Sequence, residues 1–215
     1  AILFNHAGEN VASGQLEHEQ IFPHAGWVEH NPVEIWDNVR QVVGIALANA
    51  GTNRHEVAAV GITNQRETTI VWYKNTGDTV YIAIVWQDTR SQDLVDRLAA
   101  DVGPDRFRAI VGETLSTYAS ITKIMWILEN VEGVRARAEA GDLLFGNPDT
   151  WVLWQITGGV NGGVHVTDVT NASRTMLMDL ETLQWREDIC EIAGIPMSLL
   201  PEIKSSSEVY GVGRP

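Results

Sequence analysis

The sequence predicts an α/β or α+β domain with a mixed β-sheet flanked by helices. Three observations carry that expectation. Short β-branched and aromatic runs recur with polar turns between them, as at Thr68–Trp72 and Ala83–Trp86. Longer segments place apolar residues at helical spacing, most clearly Pro32–Ala50 and Ser120–Asn130. Strand-like and helix-like stretches also alternate along the chain, so helices must return to cover the sheet.

Ala1–Phe4 and Val11–Gln20 flank the polar turn Asn5–Asn10 and read as an opening hairpin. His18, His24 and His30 follow at intervals of six, a spacing that fits no common metal motif, so they read as loop or surface histidines. Pro23, Gly26 and Pro32 punctuate the connection to a core-covering helix over Pro32–Ala50. Its apolar residues are Val33, Ile35, Trp36, Val39, Val42, Val43, Ala46 and Leu47, with Asn31 as N-cap and Gly51 as C-terminal stop. Val57–Ile62 and Thr68–Trp72 then read as two strands that pinch Thr63–Glu67 into a polar corner. Asn75–Asp78 turns a hairpin into Thr79–Trp86.

Helical spacing resumes from Asp88 to about Ala100, from Pro104 through Ile110, over Ser120–Asn130 and over Val131–Ala140. Leu143–Phe145 is a short strand, and Pro148 opens a helix to Ile156. The glycine-rich run Gly158–Gly163 lacks the lysine and spacing of a phosphate-cradling loop and reads as a flexible surface loop. Glu187–Ala193 reads as a last helix with Cys190 packed on its buried side.

Composition narrows the function classes. The 215 residues carry a formal charge of −13 at a pI near 4.8, which argues against nucleic-acid or anionic-membrane binding. A hydrophobic content of 44% supports a sizeable core, and no window approaches the length of a membrane span. A single cysteine cannot close an intrachain disulfide, which fits a reducing compartment, by default the cytoplasm. The abrupt start on Ala-Ile-Leu-Phe and the end on Gly211–Pro215 lead us to expect a piece of a longer protein.

Chemistry concentrates at Arg66 and Glu67. Neighbouring side chains on a strand point to opposite faces, so the two can address one ligand only where the pleat breaks. A guanidinium donates to hydroxyl lone pairs and a carboxylate accepts hydroxyl protons, a combination suited to a small polyol. The string Ser120-Ile-Thr-Lys123 matches that of some acyl-transferring enzymes, but its companion strings are absent, so Ser120 reads as a residue near a helix cap. Asn171-Ala-Ser173 has the form of a glycosylation sequon and reads as a turn.

The run Gly61-Ile-Thr-Asn-Gln-Arg-Glu-Thr-Thr-Ile-Val-Trp72, with Ala83-Ile-Val-Trp-Gln87 and Arg90, closely resembles the glycerol kinases of the FGGY carbohydrate kinase family. The likeness extends through Gly26–His30, Leu144–Gly146, Asp149–Trp151, His165–Asp168, Asn171–Thr175 and Ser206–Gly211, and so covers essentially the whole chain. It implies most of the amino-terminal domain of an actin-like, ribonuclease H-like ATPase fold over residues 1–215. It further implies a parent enzyme that moves the γ-phosphoryl of Mg-ATP to glycerol. Carried over by position, Arg66 and Glu67 would hydrogen-bond the glycerol hydroxyls, Trp86 would wall the carbon chain, and Tyr118 would close the pocket. The family's phosphate loop, general-base aspartate and ATP domain fall outside these residues, so the resemblance implies no catalytic residue, metal ligand or bound cofactor here. It also implies no activity for this stretch alone. A homo-oligomer is compatible with the resemblance. A non-catalytic polyol-binding or regulatory domain, or an FGGY kinase for another sugar, stands as the alternative.

Overall fold

The computed structural model describes residues 1–214. Strands β1 (Ile2–Phe4) and β2 (Asn10–Ser13) form the expected antiparallel hairpin, its second strand ending at Ser13 and not at Gln20, with an irregularity between Leu3 and Phe4. β3 (Glu29–His30) leads into α1 (Pro32–Ala50). Asn31 accepts from the backbone N–H groups of Val33 and Glu34, and Gly51 ends the helix at φ 63°. α1 packs against β1, β2 and the later helix α6 (Pro148–Ile156), but only Pro32 and Ala46 are fully buried. Val33 and Val43, expected to face the core, are 52% and 41% exposed. The apolar positions of α1 span more of its circumference than its neighbours cover.

Val57–Ile62 does not form a strand: it runs without regular pairing, and Val60 is 65% exposed. β-branched composition supplies the propensity, yet a strand needs a neighbour's backbone to bond, and among the described residues this run has none.

β4 (Ile70–Tyr73) is the centre of the molecule. It pairs antiparallel with β6 (Leu143–Gly146), in the register Ile70 to Gly146 through Tyr73 to Leu143. β5 (Ala83–Ile84) pairs with β3 and is joined to the segment before β4 by a bridge between Thr69 and Ile84. Alternation along β4 sends Val71 into one core and Ile70 with Trp72 into another, so this strand is apolar at every position because both of its faces are covered.

The larger core collects α2 (Gln92–Ala99), α3 (Arg108–Val111), α4 (Ser120–Asn130), α5 (Val134–Glu139) and, further along, α8 (Glu187–Ala193), where Cys190 is buried. The smaller core holds Trp72, Trp151 and Trp154, with ring centroids 5.1 to 5.8 Å apart. Trp151 Nε1 donates to Pro32 O at 2.9 Å and so ties α6 to α1. β7 (Val166–Asp168) runs parallel to β8 (Glu202–Lys204) and passes directly into α7 (Val169–Ala172).

Parallel and antiparallel pairing therefore coexist, as a mixed sheet requires, though in short two-stranded ladders. Gly158–Gly163 lies at the surface as expected, with Val160, Asn161 and Gly162 exposed, and its Gly159–Asn161 segment forms a 3-10 turn. A side chain at Gly163 would collide with Trp154 O, and Arg214 Nη1 donates to Asn161 O across the turn. No helix among the described residues is long and apolar enough to cross a membrane.

Candidate functional site

The polar corner before β4 holds one of the three non-glycine residues at positive φ among the described residues. Arg66 and Glu67 sit in a turn, and Glu67 adopts φ 65°, a left-handed conformation that costs a non-glycine residue about 1 kcal/mol. Such a residue persists only where its surroundings over-determine it, and here they do. Glu67 O accepts from Thr69 Oγ1 and from Ser120 Oγ, each at 3.2 Å. Asn147, at the start of α6, donates to Thr68 O at 2.7 Å and to Ser120 Oγ at 3.1 Å.

A second set of bonds holds the corner from its other side. Asn64 Nδ2 donates to Asp149 Oδ1 at 2.9 Å and returns as acceptor from the Asp149 backbone N–H at 3.0 Å. Asp149 Oδ2 accepts from Thr167 Oγ1 and Asn171 Nδ2. Burial pushes the Asp149 carboxyl up to about 6, against the opposing pull of the Thr167 hydroxyl and the backbone N–H groups of Thr150 and Asp149. The corner is thus fastened at once to α4, α6, β7 and α7.

Glu67 is buried, and its Oε1 accepts from Arg174 Nε at 2.6 Å, while Oε2 receives no hydrogen bond among the described residues. Arg66 is exposed and makes no side-chain hydrogen bond or ion pair among the described residues. Trp86 follows β5, half-buried, and meets Tyr118 edge-on at 5.5 Å between centroids. Tyr118, 37% exposed, lies just before α4, and the Arg174 guanidinium carbon stands 5.3 Å from its ring. Glu67, Arg174, Tyr118 and Trp86 are therefore in continuous contact, with Arg66 beside them at the solvent.

Lys123 underlies this wall. It is fully buried, and its Nζ donates to the carbonyls of Thr117, Tyr118 and Ala119 at 2.5, 2.6 and 3.2 Å. Burial pulls its ammonium down to about 7, with Asp88 and Glu67 acting the other way. Ser120 Oγ is spent on Glu67 O, so Ser120 and Lys123 act on the backbone of the site and not on each other.

Sequence reasoning assigned no role to Arg174, Lys123, Asn147 or Asp149. Asp149 and Arg174 do lie in stretches that carried the resemblance, which was the available signal. The histidines need one correction. His30 is 2% exposed in β3, not on the surface, because its ring bonds Gln20 on one side and His18 on the other. Arg90 is structural: its side chain is enclosed between Trp27 and Trp126 and paired with Asp88 and Glu29.

The model of the FGGY family of carbohydrate kinases, N-terminal domain, matches residues 1–215. The chain belongs to that family. Within it, the chain is 69% identical over 211 residues to a glycerol kinase of Paenarthrobacter aurescens, covering 98% of this chain and 42% of that protein. A glycerol kinase of Leifsonia xyli is equally similar, with the same coverage. Among solved structures, Plasmodium falciparum glycerol kinase with ADP superposes at a TM-score of 0.92 with 38% identity, over 100% of this chain and 42% of that one. Xylulose kinase from Rhodospirillum rubrum, at 23% identity and a TM-score of 0.85 over 99% of this chain and 42% of its own, shows the fold alone. The N-terminal part of the FGGY kinase fold, an actin-like, ribonuclease H-like ATPase fold, is thus the fold of this chain. The chain spans well under half the length of these relatives.

Proposed function

We propose that this chain is most of the amino-terminal, polyol-holding domain of an ATP-dependent glycerol kinase, whose product is glycerol 3-phosphate. The observation that carries the reading is the 69% identity to proteins named glycerol kinase, sustained over 98% of the chain. The geometry supports it. Among the described residues, Glu67 offers a carboxylate oxygen that no donor reaches and Arg66 offers guanidinium N–H groups without a partner, and the Trp86 indole and Tyr118 phenol flank them as an apolar face and a hydroxyl. A three-carbon alcohol needs these groups: acceptors and donors for its hydroxyls and a flat surface for its C–H groups.

Phosphoryl transfer relies on positioning and charge neutralisation, so this domain's part is to fix the acceptor hydroxyl while Mg-ATP is held elsewhere in the parent. Among the described residues no group of three or more His, Cys, Asp or Glu side chains converges. Taken alone, the chain should not phosphorylate glycerol. The buried single cysteine accords with a cytoplasmic setting.

The test is kinetic, on the full-length parent. Arg66→Ala and Glu67→Ala should each lower kcat/KM for glycerol by about tenfold to a hundredfold, the worth of a charged hydrogen bond. Wild-type values in either variant would remove that residue from the site. A clear preference for pentuloses over glycerol in the wild-type enzyme would overturn the substrate itself.

A further inference from the structure

We infer that Arg174 is a positioning and specificity-determining residue for the polyol: it holds one oxygen of Glu67 so that the other is presented to the substrate. The inference rests on the polyol reading above and deepens it. Arg174 has the geometry of a bracket. Its Nε donates to Glu67 Oε1 at 2.6 Å, its Nη1 pairs with Glu113, and its guanidinium carbon lies 5.3 Å from the Tyr118 ring. One planar cation thus fixes the carboxylate and backs the phenol that flank the same space.

The base of the bracket is rigid. Arg174 projects from the turn Ser173–Thr175, in which Thr175 Oγ1 donates to Ala172 O at 2.7 Å. Two residues earlier in this direction of the chain stands Ala172, fully buried, and before it Asn171, whose backbone N–H donates to Asp168 Oδ1 and whose side chain joins the Asp149 network. The same network holds Asn64 and therefore the corner bearing Glu67. Both ends of the Glu67–Arg174 pair are accordingly anchored to one framework, so the carboxylate has no freedom to rotate both oxygens toward solvent. Of the two oxygens so held, Oε1 is taken by Arg174, while Oε2 receives no hydrogen bond among the described residues and is left for the substrate.

The experiment uses the full-length parent with Arg174→Met, Arg174→Lys, Glu67→Gln and the double variant Glu67→Gln/Arg174→Met, measuring KM for glycerol and for ATP separately. Arg174→Met should raise the glycerol KM about tenfold or more and leave the ATP KM within about twofold. Arg174→Lys, which keeps the charge but loses the fork, should fall between wild type and Arg174→Met. The double variant should be no worse than Glu67→Gln alone within about threefold, because the two groups act as a unit. A glycerol KM unchanged in Arg174→Met, equal rises for glycerol and ATP, or multiplicative losses in the double variant would each overturn the assignment. If Arg174→Met does not fold, Arg174→Lys decides: a rise confined to glycerol supports the role, and no rise or a rise in both constants rejects it. Failure of wild-type protein to use glycerol sinks the glycerol reading instead, and the same ratios are then read with whichever polyol it accepts.

Discussion

Three backbone carbonyls that face inward ahead of α4 must find donors, and Lys123 supplies all of them. Replacing it by methionine keeps the volume of the stem and removes the donors. Lys123→Met should therefore cost about 2–4 kcal/mol of stability, read by chemical denaturation, and loosen the segment that carries Tyr118. A loss below about 1 kcal/mol would mean that water serves those carbonyls equally well. Sequence could name Lys123 only as part of a four-residue string, because a lysine looks the same whether its ammonium is solvated or enclosed. Glu67 was legible as a polar corner residue flanked by apolar runs. Its left-handed backbone was not, since that conformation is imposed by Ser120, Thr69 and Asn147 reaching in from 2 to 80 residues away in sequence, as the hydrogen bonds at 3.2, 3.2 and 2.7 Å show.

Elements whose ends are set by local chemistry were read well. α1 begins and ends where Asn31 and Gly51 predict, because a side-chain acceptor for two N–H groups and a residue tolerant of positive φ are both local requirements. Asn31→Ala should lower stability by about 1 kcal/mol through loss of that cap, whereas Asn31→Asp or Asn31→Ser should be close to neutral. Thermal melts of the three variants check it, and equal melting of Asn31→Ala and wild type would show that the α1–α6 contact through Trp151 alone holds the helix start. Val57–Ile62 marks the opposite case. Its apolar, β-branched sequence states a propensity, while pairing is decided by what lies alongside, and no residue within the run encodes that. α1 repeats the lesson in milder form: period 3.6 identifies the helix but not which of its apolar positions, Val33 and Val43 among them, go uncovered.

For the molecule as a whole, the balance of buried titratable groups sets an acid limit. His30 is neutral in the fold, with Nε2 donating to Gln20 Oε1 at 2.8 Å and Nδ1 accepting from His18 Nε2 at 3.2 Å. Burial first, and then the neighbouring His18, hold it down to about 4, with Glu34 pulling weakly the other way. His165, half-buried beside Trp72, is held at about 4 by the same cause. A base whose folded pKa lies below its unfolded value near 6.5 binds fewer protons folded than unfolded between the two, so stability is full above 6.5 and falls as pH drops toward 4. Asp149 has the opposite sign, since its raised carboxyl favours the fold as pH falls through about 6, but one such group does not offset two histidines. Denaturation midpoints should therefore drop between pH 7 and pH 5, with His30 alone worth up to about 3 kcal/mol by pH 4. His30→Gln retains a donor and an acceptor but cannot take up a proton in this range, so it should flatten that slope while lowering stability at pH 7 only modestly. A His30→Gln profile parallel to wild type would show that the buried pair with His18 is protonated without penalty, and would shift the acid sensitivity to His165 and the Trp72 cluster around it.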